Sequence, residues 1–326
     1  MYSVIKNKFV TFMYILAVAW MVACTQDDDH NQTGTHIALE DGTRTSLGIV
    51  SAFLNSDAIA TRASSYPTDG MHRIGFFVKA DVPNGYTSVS NREGIYSGAP
   101  RNLWLPIDSI WLNEHLADLA VYAPYDATQP TTGVLNLVAG LRTDASKDIW
   151  YKHFTANNRT QRDTPASLSL LLNHVYTRLT FVFYRDASYS SAATVSGLKL
   201  TGTNIYTKAV FNPFDENEVS RYTCSEPGVD VALSVPLTAG EDKETGAVFD
   251  LLLIPRTLTE GITATVTVNS REMQVAIPPG SFANRLEAGK HYRVTVKLMA
   301  AGLDMTSVTA LAWEDIEVGD ENAAFE

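Results

Sequence analysis

From Ile262 to Val268 the chain alternates without a break: Ile262, Ala264, Val266 and Val268 are apolar, and threonine stands at 263, 265 and 267. A period of two cannot line one face of an α-helix, whose side chains return every 3.6 residues. It fits a strand that buries one face and wets the other, as antiparallel sheets do. The same pattern runs from Tyr292 to Leu298 and predicts Tyr292, Val294, Val296 and Leu298 inside, with Arg293, Thr295 and Lys297 outside. Val231, Leu233 and Val235 repeat it. Phe249 to Ile254 is apolar but for Asp250 and stops at Pro255, which suits a strand covered on most sides.

Between Ser167 and Tyr184 the parity changes: Leu168, Leu170, Leu172 and His174 are even, whereas Leu179, Phe181 and Phe183 are odd. A flat strand cannot exchange its faces, so a bulge or bend is predicted between Val175 and Arg178. His174 then points into a core, either as a ligand or base or as a hydrogen-bonded structural histidine. No other histidine lies near it in sequence, which favours the structural role. The front half reads as shorter strands, Ile74 to Lys79 and Leu119 to Tyr122, with Trp104 and Trp111 as core anchors around a turn. Asp81 to Pro100, rich in Gly, Ser, Asn and Pro, reads as a surface loop. Many short strands without intervening helices imply antiparallel sandwiches, and 326 residues leave room for two of them. The boundary is predicted near Pro165.

Charge and motifs narrow the chemistry. Thirty-six Asp and Glu against 25 Lys and Arg give a net charge of −11, which argues against a nucleic-acid partner, since phosphates need clustered cations. Two cysteines, Cys24 and Cys224, exclude a disulfide framework and a four-thiolate metal site. No nucleophile elbow, zinc-protease helix, P-loop or dinucleotide fingerprint occurs, so no catalytic residue, metal ligand or cofactor is assigned. Ser196-Gly-Leu-Lys199 matches S-x-x-K but enters an apparent strand, where that motif has no catalytic geometry. Asp27, Asp29 and Asn31 open like a calcium loop, but Gln32 replaces its turn glycine and Ala38 its bidentate glutamate. A glycosidase pair of carboxylates leaves no local signature, so an enzyme is not excluded by motifs alone.

The N-terminus reads as an address. Lys6 and Lys8 precede an uncharged run from Phe9 to Ala23, short for a membrane span and fitting a signal-peptide core. Met21-Val-Ala-Cys24 resembles a bacterial lipobox, although Met21 stands where leucine is usual. That resemblance implies lipidation at Cys24; a plain secretory signal and an uncleaved anchor are the alternatives. The following Thr25-Gln-Asp-Asp-Asp29 resembles the acidic signal that sends Bacteroidetes lipoproteins to the outer face of the outer membrane.

An ordered series of short motifs resembles the fimbrillin family, the Mfa-like subunits of type V pili in Bacteroidetes. After the lipobox come Ala60-Thr-Arg-Ala63, Ile74-Gly-Phe-Phe-Val78, Leu119-Ala-Val-Tyr-Ala-Pro124 and Leu170-Leu-Leu-Asn-His174. Arg178-Leu-Thr-Phe181, Leu253-Ile-Pro255, Phe282, Gly289-Lys-His-Tyr292 and Val308 to Trp313 complete it. The resemblance implies two tandem Greek-key, transthyretin-like β-sandwiches after a lipoprotein signal peptide. The expected division is 1–23 for the signal peptide and 24–62 for an acidic linker with a removable strand. The N-terminal sandwich would then span 63–165, and the C-terminal sandwich with its tail 166–326.

The resemblance also implies a mechanism. An arginine-specific protease cuts behind an N-terminal strand, and a strand from a neighbouring subunit replaces it by β-augmentation. Such a contact is head-to-tail and grows a filament. Arg62–Ala63 is the first choice of scissile bond, because cutting there removes everything from Ile37 through Ile59 with both possible plug strands; Arg44–Thr45 is the second, since Asp41-Gly42 is a hairpin signal that would tie it into a turn. Ile37 and Leu39 share a parity and are the predicted apolar residues of the removable strand. A donor tail is less well formed, with only Ile316, Val318 and Phe325 as apolar candidates. The implied partners are other fimbrial subunits, the protease, the outer membrane through lipid, and host or bacterial surface ligands. A non-polymerising adhesin or glycan-binding lipoprotein on the same double sandwich is the competing reading, with loops 81–100 and 157–164 as its binding elements. A secreted glycan-processing enzyme is a third.

Overall fold

The computed structural model describes residues 39–40, 44–54, 73–97, 103–143, 145–162, 168–237, 246–311 and 313, all within one of the chain's two units. The chain is built from strands. The described elements start with β1 (Leu39–Glu40), β2 (Arg44–Ser46) and β3 (Ser51–Leu54), followed by β4 (Arg73–Val78) and β5 (Val89–Tyr96). Next are β6 (Trp104–Pro106), β7 (Trp111–Leu112), β8 (Ala117–Ala123), β9 (Leu135–Val138) and β10 (Gly140–Leu141). β11 (Trp150–Ala156) and β12 (Ser169–His174) flank a short helix, Asn158–Arg162. The longer strands come later: β13 (Thr177–Arg185), β14 (Ala193–Thr201), β15 (Tyr206–Phe211), β16 (Tyr222–Pro227) and β17 (Val229–Leu237). β18 (Ala247–Leu253), β19 (Arg256–Thr257), β20 (Ile262–Val268) and β21 (Arg271–Ile277) precede β22 (Arg285–Leu286), β23 (His291–Met299) and β24 (Gly302–Leu311).

A seven-stranded sheet, in the order β3-β12-β11-β8-β4-β5-β6, faces the small sheet β1-β2-β7 across a first core. A five-stranded sheet, β10-β18-β13-β23-β24, and a four-stranded sheet, β17-β14-β20-β21, enclose most of a second. The large sheet serves both cores. Ile74, Phe76 and Val78 of β4 face the first core, whereas Phe77 joins Ala120 and Tyr122 in the second. This explains why β4 and β8 are apolar almost throughout: a strand covered on both faces loses its alternation. A further three-stranded sheet, β16-β15-β9, adds Phe211, whose ring meets Tyr151 edge-on at 4.7 Å.

The parity change before Thr177 is real and has a topological meaning. β12 ends at His174 in the seven-stranded sheet, and β13 starts at Thr177 in the five-stranded one. The two cores therefore exchange the chain at Val175–Tyr176, and no single cut near Pro165 separates them. β12, beyond Pro165, belongs to the first core, while β9 and β10, well before it, pair with β15 and β18. Most pairs are antiparallel, but β3 with β12 and β13 with β23 are parallel.

Three details depart from the alternation read from sequence. Leu233 is exposed because Ala232 and Leu233 together oppose Gly197; this bulge turns Leu233 outward while Val231 stays buried. Thr295 is buried, since β23 is central and Val182 of β13 flanks it. Eight of the 20 residues of the predicted loop 81–100 form strand β5, paired with both β4 and β6. Its Gly94 is required there, as a Cβ would come within 2.2 Å of the Phe76 ring. The remaining expectations for the core hold: Tyr292, Val294, Val296 and Leu298 are buried, as are Ile262, Ala264, Val266 and Val268. Trp104 is buried and Trp111 half-buried.

Candidate functional site

Arg44 to Leu54 precedes every other strand of the first sandwich except β1, yet it completes that sandwich. Leu47, Ile49 and Ala52 are buried among residues that otherwise all lie beyond position 73. Full burial of an aliphatic side chain is worth about 1.5–3 kcal/mol, so Leu47 and Ile49 together hold the segment firmly. The backbone is satisfied at each step. Thr45 and Ser46 pair with β7, Leu47 N–H donates to Ile110 O at 2.8 Å, and Ile49 exchanges two 3.1 Å hydrogen bonds with Trp104. β3 then runs parallel to β12, from Ser51 beside Ser169 to Leu54 beside Leu172, and Ser51 Oγ lies 2.7 Å from Ser169 Oγ.

The placement of these partners is informative. Trp104 is in β6, one end of the seven-stranded sheet, and β12 with β3 forms the other end. Residues 49–54 therefore hydrogen-bond to both ends of one sheet. Taking them away would leave two unpaired edges and a slot lined by the neighbours of Leu47 and Ile49. β12 would be affected most. Its pairing with β11 is confined to Asn173 and His174, so Ser169 to Leu172 pair with β3 alone.

A side-chain amide completes this seat. Gln161 accepts from Gly48 N–H through Oε1 and donates through Nε2 to Gly48 O at 3.0 Å. The helix Asn158–Arg162 that carries it is capped by Asn157, whose Oδ1 accepts from the backbone N–H groups of Arg159 and Thr160 at 3.1 and 3.0 Å. The N–H of Asn157 in turn donates to Thr160 Oγ1 at 2.7 Å, and Asn158 N–H donates to Asn113 O at 2.8 Å. The stretch 157–162 is thus a support for the seat instead of a free binding loop.

The residues read from sequence fall in and around this seat unevenly. Leu39 and Glu40 pair with Thr45 and Arg44, flanking Asp41-Gly42 as the hairpin signal predicts. Arg44 is exposed but Thr45 is buried in the centre of a three-stranded sheet. Cys24, Ile37, Arg62, Ala63, Ile316, Val318 and Phe325 lie outside the described residues. The side chains that fill the seat are Leu47, Ile49 and Ala52, with Gly48 against Gln161, none of them among the residues singled out from the sequence. The alternation of Leu47 with Ile49 is a usable signal, and Asn157 is a usable N-cap for the helix.

The second predicted feature, His174, has the structural role. Nδ1 lies 2.6 Å from the Asp148 carboxylate, both buried, and the ring stacks on Trp313 at 3.7 Å and packs on Trp150 at 3.8 Å. It joins the end of β12 to the residue from which the C-terminal tail continues. Cys224 is a half-buried free thiol, and burial pushes its pKa up, against a smaller opposing effect of Arg256. A raised thiol is a poor nucleophile. Among the described residues no three His, Cys, Asp or Glu come together as a metal site, and no helix is long and apolar enough to cross a membrane.

Fold and seat define a class: a double β-sandwich whose first half is finished by the chain's own N-terminal segment. The chain belongs to the fimbrillin-like family, whose model matches residues 61–313. No curated protein matches it. Among solved structures it is similar to a protein of Bacteroides uniformis provisionally described as a cell adhesion protein, with a TM-score of 0.53 and 16% identity over 82% of this chain and 98% of that one. A Bacteroides ovatus protein of the same description gives 0.53 and 15% over 82% and 98%. One from Parabacteroides distasonis gives 0.50 and 11% over 82% and 97%. These likenesses are of fold. Membership of the family supports a fimbrial-subunit role at the cell surface.

Proposed function

We propose that this chain is a fimbrial subunit assembled by strand exchange, in which segment 44–54 is the part that leaves. One observation carries the reading: a core formed by residues beyond 73 is completed by Leu47, Ile49 and Ala52, and the 18 residues 55–72 connect the two parts. A cut in that connection turns an intramolecular strand into a separable one. Arg62 lies within it, whereas the Arg44–Thr45 bond is fixed in a sheet with Thr45 buried, which protects it from a protease that needs an accessible extended backbone. In this scheme Cys24 carries lipid and holds the precursor at the outer membrane, and cleavage after Arg62 frees the subunit for head-to-tail assembly.

The N-terminus of assembled material tests the scheme. Ala63 is the expected first residue, Arg62→Ala should leave a membrane-bound precursor that does not enter filaments, and Arg44→Ala should assemble normally. Thr45 at the N-terminus would move the cut upstream; intact Cys24 on assembled material would remove strand release altogether. Cys24→Ser should abolish incorporation of labelled fatty acid.

A second reading, a surface adhesin that does not polymerise, draws on a cleft of about 560 Å³. Ser88, Ser90, Thr131, Asn212, Phe214 and Asp215 line it, offering hydroxyls, an amide, a carboxylate and one ring face to a polyhydroxylated ligand. A protein that stays monomeric after the cut yet binds glycan would favour this reading.

A further inference from the structure

We infer that Gln161 reads the backbone of the strand that occupies the seat, and that the leucines beside it select an extended peptide with a small residue between two aliphatic ones. This rests on the strand-exchange reading above. Gln161 is 1% exposed, and both ends of its amide are used on one residue of the occupant, Gly48. A primary amide carries donors and an acceptor side by side, so it can satisfy the N–H and C=O of one residue at once. Such pairing recognises backbone and would serve any strand that passes there. Without an occupant, a buried amide loses two partners, which favours a replacement.

Selection comes from space. A Cβ on Gly48 would lie 3.2 Å from Leu105 Cδ2, 3.6 Å from Leu103 Cδ1 and 3.7 Å from Gln161 Oε1. Alanine needs only a small shift of a leucine end, whereas a longer side chain would push the peptide off Gln161. The neighbours on each side, Leu47 and Ile49, are fully buried, which fixes aliphatic residues there. Ile316-Glu317-Val318 of a second copy supplies the flanks but puts Glu317 at the small position in either strand direction. The fitting partner is therefore a strand whose apolar residues are separated by Gly or Ala.

The test uses the chain from residue 24 with a specific protease site engineered at Arg62, cut, and offered labelled peptides. The probes are the 44–54 peptide, its Gly48→Val form, a form with ester oxygen replacing the Gly48 N–H, and a peptide of residues 313–320. The 44–54 peptide should bind, with the valine and 313–320 peptides at least about tenfold weaker. The ester should weaken binding about tenfold to the parent protein and not at all to Gln161→Met, the size expected for one lost hydrogen bond. Equal ester effects on both proteins, or equal binding of the valine form, would overturn the assignment. A cut protein that takes up no peptide would instead sink strand exchange. Gln161 is then judged in the uncut chain, where Gln161→Met should speed amide exchange at Gly48 about tenfold and leave Val296 unchanged. Unchanged exchange at Gly48 removes the role.

Discussion

The two cores are built from the same kinds of residue but differ in where those residues come from. The second draws on residues 77–313, and every described member lies beyond the proposed cut. The first has Leu47, Ile49 and Ala52 on the near side of it. The proposed cleavage would therefore separate a strand from one sandwich, while the described members of the other core all stay on one side of it. The shared seven-stranded sheet is what makes that tolerable. Phe77 and Tyr122 tie its back face to the second core, stacked at 5.5 Å, so the sheet stays supported when its front loses an occupant.

The largest effect that would break this comparison is in the second core. Val296 is fully buried in β23, between β13 and β24. Val296→Asp should cost about 4 kcal/mol or more by burying a charge without a partner, and urea unfolding would read it. Unchanged stability would mean that β23 does not sit in this register. Ile49→Ala comes next, at about 2–4 kcal/mol for a fully buried aliphatic. Its effect should be local: faster amide exchange at Leu47, Ile49 and Trp104, with Val294 and Val296 still protected. Loss of protection in both cores together would show that the segment cannot be separated from the rest.

The same contrast explains what could be read from the sequence. β20, a strand of the second core with one wet face, alternates cleanly and is legible to the residue, and β23 is legible except at Thr295, which its central position buries. The bend after His174 was legible because parity is a strict rule. What was lost lay where another force overrides alternation. β5 carries Ser, Asn, Arg and Gly because its side chains are mostly partly exposed, and its one tight contact, Gly94 against Phe76, depends on an absent side chain. Leu233 was misplaced by a bulge, which shifts register without leaving a hydrophobic mark. The seat itself was half legible. The hairpin around Asp41-Gly42 is visible in the sequence, but the buried residues are Leu47, Ile49 and Ala52, whose change of parity at Val50 accompanies the step from β6 to β12. Gln161 could not be found from pattern, since its partner is backbone from 113 residues away.

The smallest effect separates the cores by pH. Tyr176 and Tyr222 belong to the second core, where burial raises both phenols above the ordinary value. Tyr222 also donates to Val175 O at 2.7 Å, at the crossing between the sandwiches. In the first core the Tyr86 phenol is raised, again chiefly through burial. When a folded-state pKa is raised, the folded state keeps protons that the unfolded chain has lost. Stability is then full below the unfolded value, about 10, and falls as pH rises above it. Each such tyrosine contributes a slope of up to about 1.4 kcal/mol per pH unit in that window. Urea unfolding between about pH 9 and pH 11 should thus weaken the second core more than the first, with tyrosinate absorbance appearing as it unfolds. Tyr222→Phe should cost about 1 kcal/mol at neutral pH through its lost hydrogen bond, yet flatten the alkaline slope. A slope that Tyr222→Phe leaves unchanged, or protection at Ile49 lost before that at Val296, would reverse the assignment of the alkali-sensitive core.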